Sequence, residues 1–500
     1  MPPFASTGVI LLVGLAGCVH GAAAGAPPES AGVVPSATDK PDIVFILGDD
    51  LDLASMVELP RLRGLIGDQG ATFTNDFVSL SLCCPSRCTT LTGQYGHNTG
   101  VLANTGTNGG FAAFHRTAEA HTIATELRAA GYVTGLFGKY LNGYPDSKDA
   151  RWIPPGWTTW FAVTGNGGYS GFNYTVNEDG RAVRRGQREE DYLVDVLGDR
   201  AGRFLEGAGA SPAFAWVAPM VPHTPATPAP RYAGRYKGVR APQTPNFNEA
   251  EISDKPSPLS GRGLLSAKAI AGIDNLYRKR LTSALALEDL AQHLVDVQRA
   301  RGRLDQTYLV FTSDNGFHLG EHRMARGKET EYDEDLRVPL LVRGPGITPG
   351  TTVTQLAVNT DLAPTFAAMA GLSSLPGADG RSWLGLATGQ PVPVWRDAFL
   401  IERAGQDAQE PEDDGRVKRR LPAFSGVRTA AWKYVEFDDG QRELYDLVAD
   451  PYELNNLGGT AHAMFPELSR RVAELARCSG DSCRSAENPV LATSEPPLQP

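Results

Sequence analysis

Two short oxygen-rich pairs carry the first chemical hint in this 500-residue chain. Asp49-Asp50 follows the apolar run 42–47, and Asp314-Asn315 follows the run 308–312. Carboxylate and amide oxygens converging from two such places suit a hard divalent cation. Either pair alone would serve equally well as a turn or a helix cap. A third feature decides between the two readings. It is the run Cys83-Cys84-Pro85-Ser86-Arg87-Cys88-Thr89-Thr90-Leu91-Thr92-Gly93. Zinc is one use for clustered cysteines, but no second cluster or His pair stands near them at zinc-ligand spacing. His223, in Pro222-His223-Thr224-Pro225, follows the apolar run 213–217. His318 follows the second acidic pair and reads equally as a substrate contact or a structural residue; His97 and His322 read as structural.

The elements around these residues predict how they are held. Residues 42–47, 132–137, 213–217 and 308–312 are short apolar runs, each leading into polar residues. Helical periodicity runs from Thr122, with Ile123, Leu127 and Ala130 on one face and Gly131 as its stop. It recurs over 284–300 through Leu287, Leu290, Leu294 and Val297. Strands alternating with helices predict an α/β fold: a mostly parallel sheet with helices on both faces. Ligand sites in such sheets lie beyond the C-terminal strand ends, where the polar residues fall. Past a boundary between 380 and 395 the pattern changes to short alternating segments, with a turn at Asp438-Asp439-Gly440 and a helix near 464–477. A small C-terminal α+β subdomain with an antiparallel sheet is expected there. The expected domains are 1–39, 40–385, 386–485 and a disordered tail at 486–500.

Hydrophobic content of 41% and charged content of 21% describe an ordinary globular protein. A net charge of −10 argues against nucleic acid as a partner, while leaving room for a local basic pocket.

The cysteine-containing run fits Cys-x-Pro-Ser-Arg-x-x-x-Leu-Thr-Gly at every fixed position and so resembles the signature of the type I sulfatases. The resemblance implies an alkaline-phosphatase-like fold and hydrolysis of sulfate monoesters. It implies that Cys83 is oxidised to formylglycine by a formylglycine-generating enzyme, and that the aldehyde hydrate is the nucleophile. It implies Ca2+, or Mg2+, held by Asp49, Asp50, residue 83, Asp314 and Asn315. Arg87, Lys139 and Lys328 would meet the sulfate charge, Lys328 from a segment similar to the family's Gly-Lys-x-x-x-Tyr. His223 would contact the sulfate and protonate the leaving alcohol. One departure stands out: Gly138-Lys139-Tyr140-Leu141-Asn142 lacks the His that many members carry after Gly-Lys. That segment, the double cysteine, Phe247-Asn248, Arg278-Lys279-Arg280 and Cys478-Ser479-Gly480 resemble the N-acetylglucosamine-6-sulfatase branch, with a sulfated carbohydrate as substrate. The competing readings are a phosphate or phosphonate ester hydrolase on the same scaffold, and a lipoprotein that binds sulfated glycans without cleaving them.

The N-terminus reads as an export signal. Residues 8–17 are apolar but too short to span a bilayer. Leu15-Ala16-Gly17-Cys18 resembles a lipobox, which would lipidate Cys18 and anchor the protein at the cell surface. Ala22-Ala23-Ala24 offers a competing cleavage site and ordinary secretion. The absence of Lys or Arg before Lys40 departs from both patterns. In an exported protein, Cys478 and Cys483 are placed to close a small disulfide loop.

Overall fold

Along the first strand, β1 (Asp42–Gly48), alternate side chains enter two different cores. Ile43, Phe45 and Leu47 join one cluster, and Val44 and Ile46 join the other. That is the period-two signature of a strand covered on both faces. A computed structural model of the protein describes residues 40–145, 149–257, 259–405 and 422–488. The expected signal, lipobox and tether at 1–39, and the last residues of the chain, lie outside the described residues.

Eleven strands form the main sheet. β1 is flanked by β7 (Ala213–Ala218) and β8 (Thr307–Ser313), both parallel to it. β3 (Val133–Gly138) runs parallel to β7, and β4 (Thr159–Thr164) parallel to β3. The antiparallel members lie outside this block: β9 (Arg337–Arg343) against β8, and the hairpin of β5 (Thr175–Glu178) and β6 (Arg181–Arg184) beside β4. The fold is therefore α/β with a mostly parallel sheet, as expected.

Helices cover both faces. Ile123 and Leu127 of helix Ile123–Ala129, and Leu362 and Phe366 of helix Leu362–Met369, pack on the Phe45 side. Leu193 and Leu197 of helix Leu193–Gly207 pack on the Val44 side with Leu290 and Leu294 of helix Ala267–Ala300. This last helix begins 17 residues before the expected start at 284. Gly272 and the Arg278-Lys279-Arg280 run dilute the apolar periodicity of its first half, although Ile273, Leu276 and Tyr277 are buried there. Ser266 caps it by accepting the Ala269 amide at 3.2 Å.

A second sheet of four antiparallel strands spans Ala398–Arg403, Phe424–Thr429, Trp432–Phe437 and Arg442–Asp446. Helix Phe465–Leu475 packs on it through Leu468, Val472 and Leu475. A Cys478–Cys483 disulfide follows the helix. The segment expected to be a disordered tail does not begin at 486. Glu487 is fully buried and accepts from Arg381 Nη2 and Arg396 Nε, each at 3.0 Å, and from the Tyr95 hydroxyl. The polar composition after 485 had concealed this anchor.

Candidate active site

The parallel block sets its polar residues along one rim. Asp49 and Asp50 follow β1, Lys139 follows β3, His223 lies five residues past β7, and Asp314 and Asn315 follow β8. Close backbone approach brings them together. The Lys139 amide donates to the Ala218 carbonyl at 2.8 Å. Gly138, at φ 116°, makes that approach feasible, because a Cβ there would lie 2.1 Å from the Ala218 oxygen. Asp50 is left-handed at φ 65°, a region aspartate tolerates better than most residues.

Cys83 arrives from another direction, opening the buried helix Cys83–Thr92. Its thiol is 1% exposed and lies 3.5 Å from Asp49 Oδ1 and 3.7 Å from Asp50 Oδ1. The helix N-terminus also favours negative charge at this position. Arg87 stands one turn further on, so both side chains share a helix face. Its Nε donates to Asp314 Oδ2 at 2.8 Å, and its Nη1 to the Lys139 carbonyl at 3.2 Å.

Lysines complete the cluster. Lys139 Nζ bridges both oxygens of Asp49 at 2.9 and 2.8 Å. Lys328 Nζ lies 2.5 Å from Asp50 Oδ1 and 2.7 Å from Cys83 Sγ. His223 Nδ1 meets the Thr224 carbonyl at 2.8 Å; a carbonyl only accepts, so Nδ1 carries hydrogen. Nε2 is thereby turned to the site, 3.6 Å from Asp50 Oδ2. The oxygen donors interlock as well: the Asp50 amide donates to Asp314 Oδ1, and Asn315 Nδ2 donates to Asp50 Oδ1 at 2.8 Å.

Electrostatics follow from this packing. Burial raises the Asp49 carboxyl, but Lys139, His223, Arg87 and Lys328 outweigh it and hold the group well below the usual carboxylate range. Asp50 is lowered in the same way, with Lys328 as the main opponent of burial. Asp314 goes up, because burial and the neighbouring Asp49 exceed the pull of Arg87. Burial also pushes the Cys83 thiol well up, despite Lys139 and Lys328. An unmodified Cys83 therefore stays protonated, and a thiol is a far weaker nucleophile than a thiolate.

The donor set fits a divalent cation. Asp49, Asp50, Cys83 and His223 present ligand atoms that all lie within 4.8 Å of one another. Asp50 Oδ2 and Asn315 Oδ1 are buried with no hydrogen-bond partner, which is costly unless something binds them. Hard oxygens in this number suit Ca2+ or Mg2+.

His318 is drawn elsewhere. Its Nδ1 faces Asp335 at 3.0 and 3.1 Å, and its backbone pairs with that of Gly327. Asp335 also accepts from the Thr330 amide at 3.0 Å and from its hydroxyl at 2.6 Å. His318 and Asp335 thus secure both flanks of Lys328. His97 bonds Glu402 and the Cys478 carbonyl, and His322 bonds Glu249.

Three residues at the site had no role assigned from the sequence. Asp335 was hidden in an acidic run. Tyr169 packs against His223 with ring centres 4.4 Å apart and the ring planes tilted by 38°, and Lys139 Nζ lies 5.3 Å from the same ring; nothing in its surrounding sequence signals this. Arg280 donates to the carbonyls of Asp50 and Pro222 and, at 3.0 Å, to Asp52 Oδ2. It ties the acidic turn to the His223 turn. Its signal was legible: it falls on the buried stripe of its helix, with Ile273, Leu276, Tyr277 and Ala284.

Comparison with known proteins bears on the same residues. The Sulfatase family model matches residues 41–372, and a model for the N-sulphoglucosamine sulphohydrolase C-terminal region matches 320–477. The chain is 35% identical to human N-acetylglucosamine-6-sulfatase over 97% of its own length and 91% of that protein. It is 27% identical to the N-acetylglucosamine-6-O-sulfatase of Bacteroides thetaiotaomicron over 85% of this chain and 84% of the other. Among solved structures, one described as a complex with its substrate D-glucosamine-2-N,6-O-disulfate superposes with a TM-score of 0.73. It is 24% identical and covers 89% of this chain and 98% of its own. A phosphonate monoester hydrolase from Silicibacter pomeroyi superposes at 0.67, also 24% identical, over 88% and 95%. At that identity the two structures speak to the fold alone.

Proposed function

The chain belongs to the sulfatase family and is a sulfuric ester hydrolase, and from that premise we propose that it removes the 6-sulfate of N-acetylglucosamine-type units in a sulfated glycan. The substrate reading is supported by the relatives' names and by the likeness running nearly the full length of both chains. The observation that carries the chemistry is the contact set of residue 83. Its side-chain heteroatom lies beside Lys328 Nζ, Asp49 and Asp50 in a buried place.

Family membership implies oxidation of Cys83 to formylglycine, whose hydrate supplies a hydroxyl nucleophile and a second hydroxyl on the same carbon. Cys83 Sγ here stands in for one of those oxygens. Asp49, Asp50, Asp314 and Asn315, with residue 83, would hold a divalent cation, which we assign as Ca2+; when bound it supplies Lewis-acid stabilisation of negative oxygen.

Charge counting supports the assignment. Three carboxylates, Asp49, Asp50 and Asp314, face three cations, Arg87, Lys139 and Lys328. A divalent ion would leave the site at about +2, matching one charge on the sulfate ester and one on an ionised nucleophile. Lys139 and Lys328 orient the sulfate oxygens. Arg87 holds the nucleophile's helix against Asp314. His223, fixed through Nδ1, offers Nε2 to the leaving alcohol. His318, fixed through Nδ1 by Asp335, has Nε2 left to meet the sugar.

Export is part of the proposal, with the Cys478–Cys483 disulfide in its favour. Among the described residues no helix is long and apolar enough to cross a membrane. Lipidation at Cys18 would be the anchor. Residues 40–385 and 386–485 are proposed as the catalytic domain and its C-terminal subdomain.

The test is sulfate release from N-acetylglucosamine 6-sulfate against the 3- and 4-sulfates and the 6-phosphate. A kcat/KM highest for the 6-sulfate is expected. A higher value for the phosphate ester would overturn the assignment.

A further inference from the structure

The turn that carries His223 has a second side. The Ala226 amide donates to the His223 carbonyl at 2.9 Å, and residues 225–228 then form one wall of an open cavity of about 710 Å³. Arg278, Lys279 and Thr282 of helix Ala267–Ala300 line it from another side, and Arg235 and Lys237 from a third. The lining holds four cationic side chains and no carboxylate, in a protein of net charge −10. Like charges gathered in a concave surface raise the local concentration of anions. The volume lies in the range of small-ligand sites and suffices for a sugar ring.

Two covalent paths join this cavity to the reaction centre. Residues 225 and 226 are two and three positions beyond His223. Arg278 and Lys279 immediately precede Arg280, whose guanidinium binds the Asp50 and Pro222 carbonyls.

Resting on the sulfated-sugar reading above, we propose that the cavity is a second anion subsite. It takes a sulfate or carboxylate group of the adjoining sugar unit, so the preferred substrate is a multiply charged oligosaccharide rather than a single sugar sulfate.

The test uses Lys237→Ala/Lys279→Ala, two exposed positions, with three probes. The probes are the monosaccharide 6-sulfate, a glucosamine–uronate tetrasaccharide sulfated only on its terminal glucosamine, and a uronate-free tetrasaccharide sulfated on every unit. The ratio of kcat/KM for a tetrasaccharide to that for the monosaccharide should fall about fivefold. A fall with the uronate probe identifies the bound group as carboxylate, and a fall with the other identifies sulfate. Unchanged ratios for both overturn the proposal. Binding of the same tetrasaccharides to the inert Cys83→Ala protein separates this from the sulfatase reading. Their Kd should rise by a similar factor in the double-lysine variant, and the rise should shrink at high salt. An unchanged Kd overturns the subsite even where none of the probes is turned over.

Discussion

The amide of Asp50 donates to Asp314 Oδ1 at 3.0 Å across 264 residues of sequence. That bond joins the ends of β1 and β8, neighbouring strands that fold from opposite halves of the catalytic region. It fixes the Asp314 carboxylate against the Asp50 backbone, and Asn315 Nδ2, donating to Asp50 Oδ1, ties the two acidic turns together a second time.

Removing the proposed nucleophile should separate chemistry from folding. Cys83→Ala deletes one buried sulfur and no ion pair. Turnover should fall by about 10⁴-fold or more. The melting temperature, read by circular dichroism, should stay within a few degrees of wild type. Residual activity above a few per cent would mean another residue attacks the ester.

Asp314→Asn keeps the shape of the side chain and removes its charge. Cation affinity should weaken about 100-fold, measured by elemental analysis and by Ca2+ titration of chelated protein. Chelation of wild type should abolish turnover, with Ca2+ restoring it better than Mg2+. Full metal content in the variant would remove Asp314 from the ligand set.

Arg280 is a positioning residue, and its test needs a readout beyond stability. Arg280→Lys retains charge but loses the fork that spans Asp50 and Pro222. A drop in kcat of about 10–100-fold with a smaller change in KM is expected. Arg280→Met leaves Asp52 without its cation, held by Ser55 alone, and takes the guanidinium donor from two carbonyls in a buried place; it should cost about 3 kcal/mol, read by denaturant unfolding. A lysine variant with wild-type kcat would reduce Arg280 to a packing role.

How much of this was legible in advance follows from the kind of signal each residue carries. Asp49, Asp50, Asp314 and Asn315 were found because apolar strands point to them, and hydrophobic runs are local. Cys83, Arg87 and Lys328 were found because short motifs surround them. Tyr169 was not, since its partners His223 and Lys139 lie far away in sequence, and Asp335 was not, since its acidic neighbours give no sign of which carboxylate turns to Thr330 and His318. Glu487 misled for the opposite reason: a polar composition resembles a tail until Arg381 and Arg396 are seen to need a carboxylate.

Stability should depend on pH in a particular sense. Burial lifts Glu249, Glu321 and Glu334 to about 7, above their ordinary 4.5. Folded protein therefore holds more protons than unfolded chain between about pH 4.5 and 7. Stability from these groups is fully present below 4.5 and is lost as pH rises through 7. Melting temperatures measured from pH 5 to pH 8 should fall. Two lowered groups act in the opposite sense: the buried His322, as pH falls below 6.5, and Asp49, only below pH 4. A melting temperature that rises from pH 5 to 8 would show that these glutamates are ionised in the native state.

The 1% exposure of Cys83 imposes an order of events on biosynthesis. Lys328 closes over the thiol at 2.7 Å from a segment made 245 residues later. Any catalyst that oxidises this sulfur must reach it while that later segment is still unmade or undocked. Such an oxidation would compete with folding for the same interval. A chain that folds first is sealed with an inert thiol inside, so faster folding would lower the yield of active protein rather than raise it.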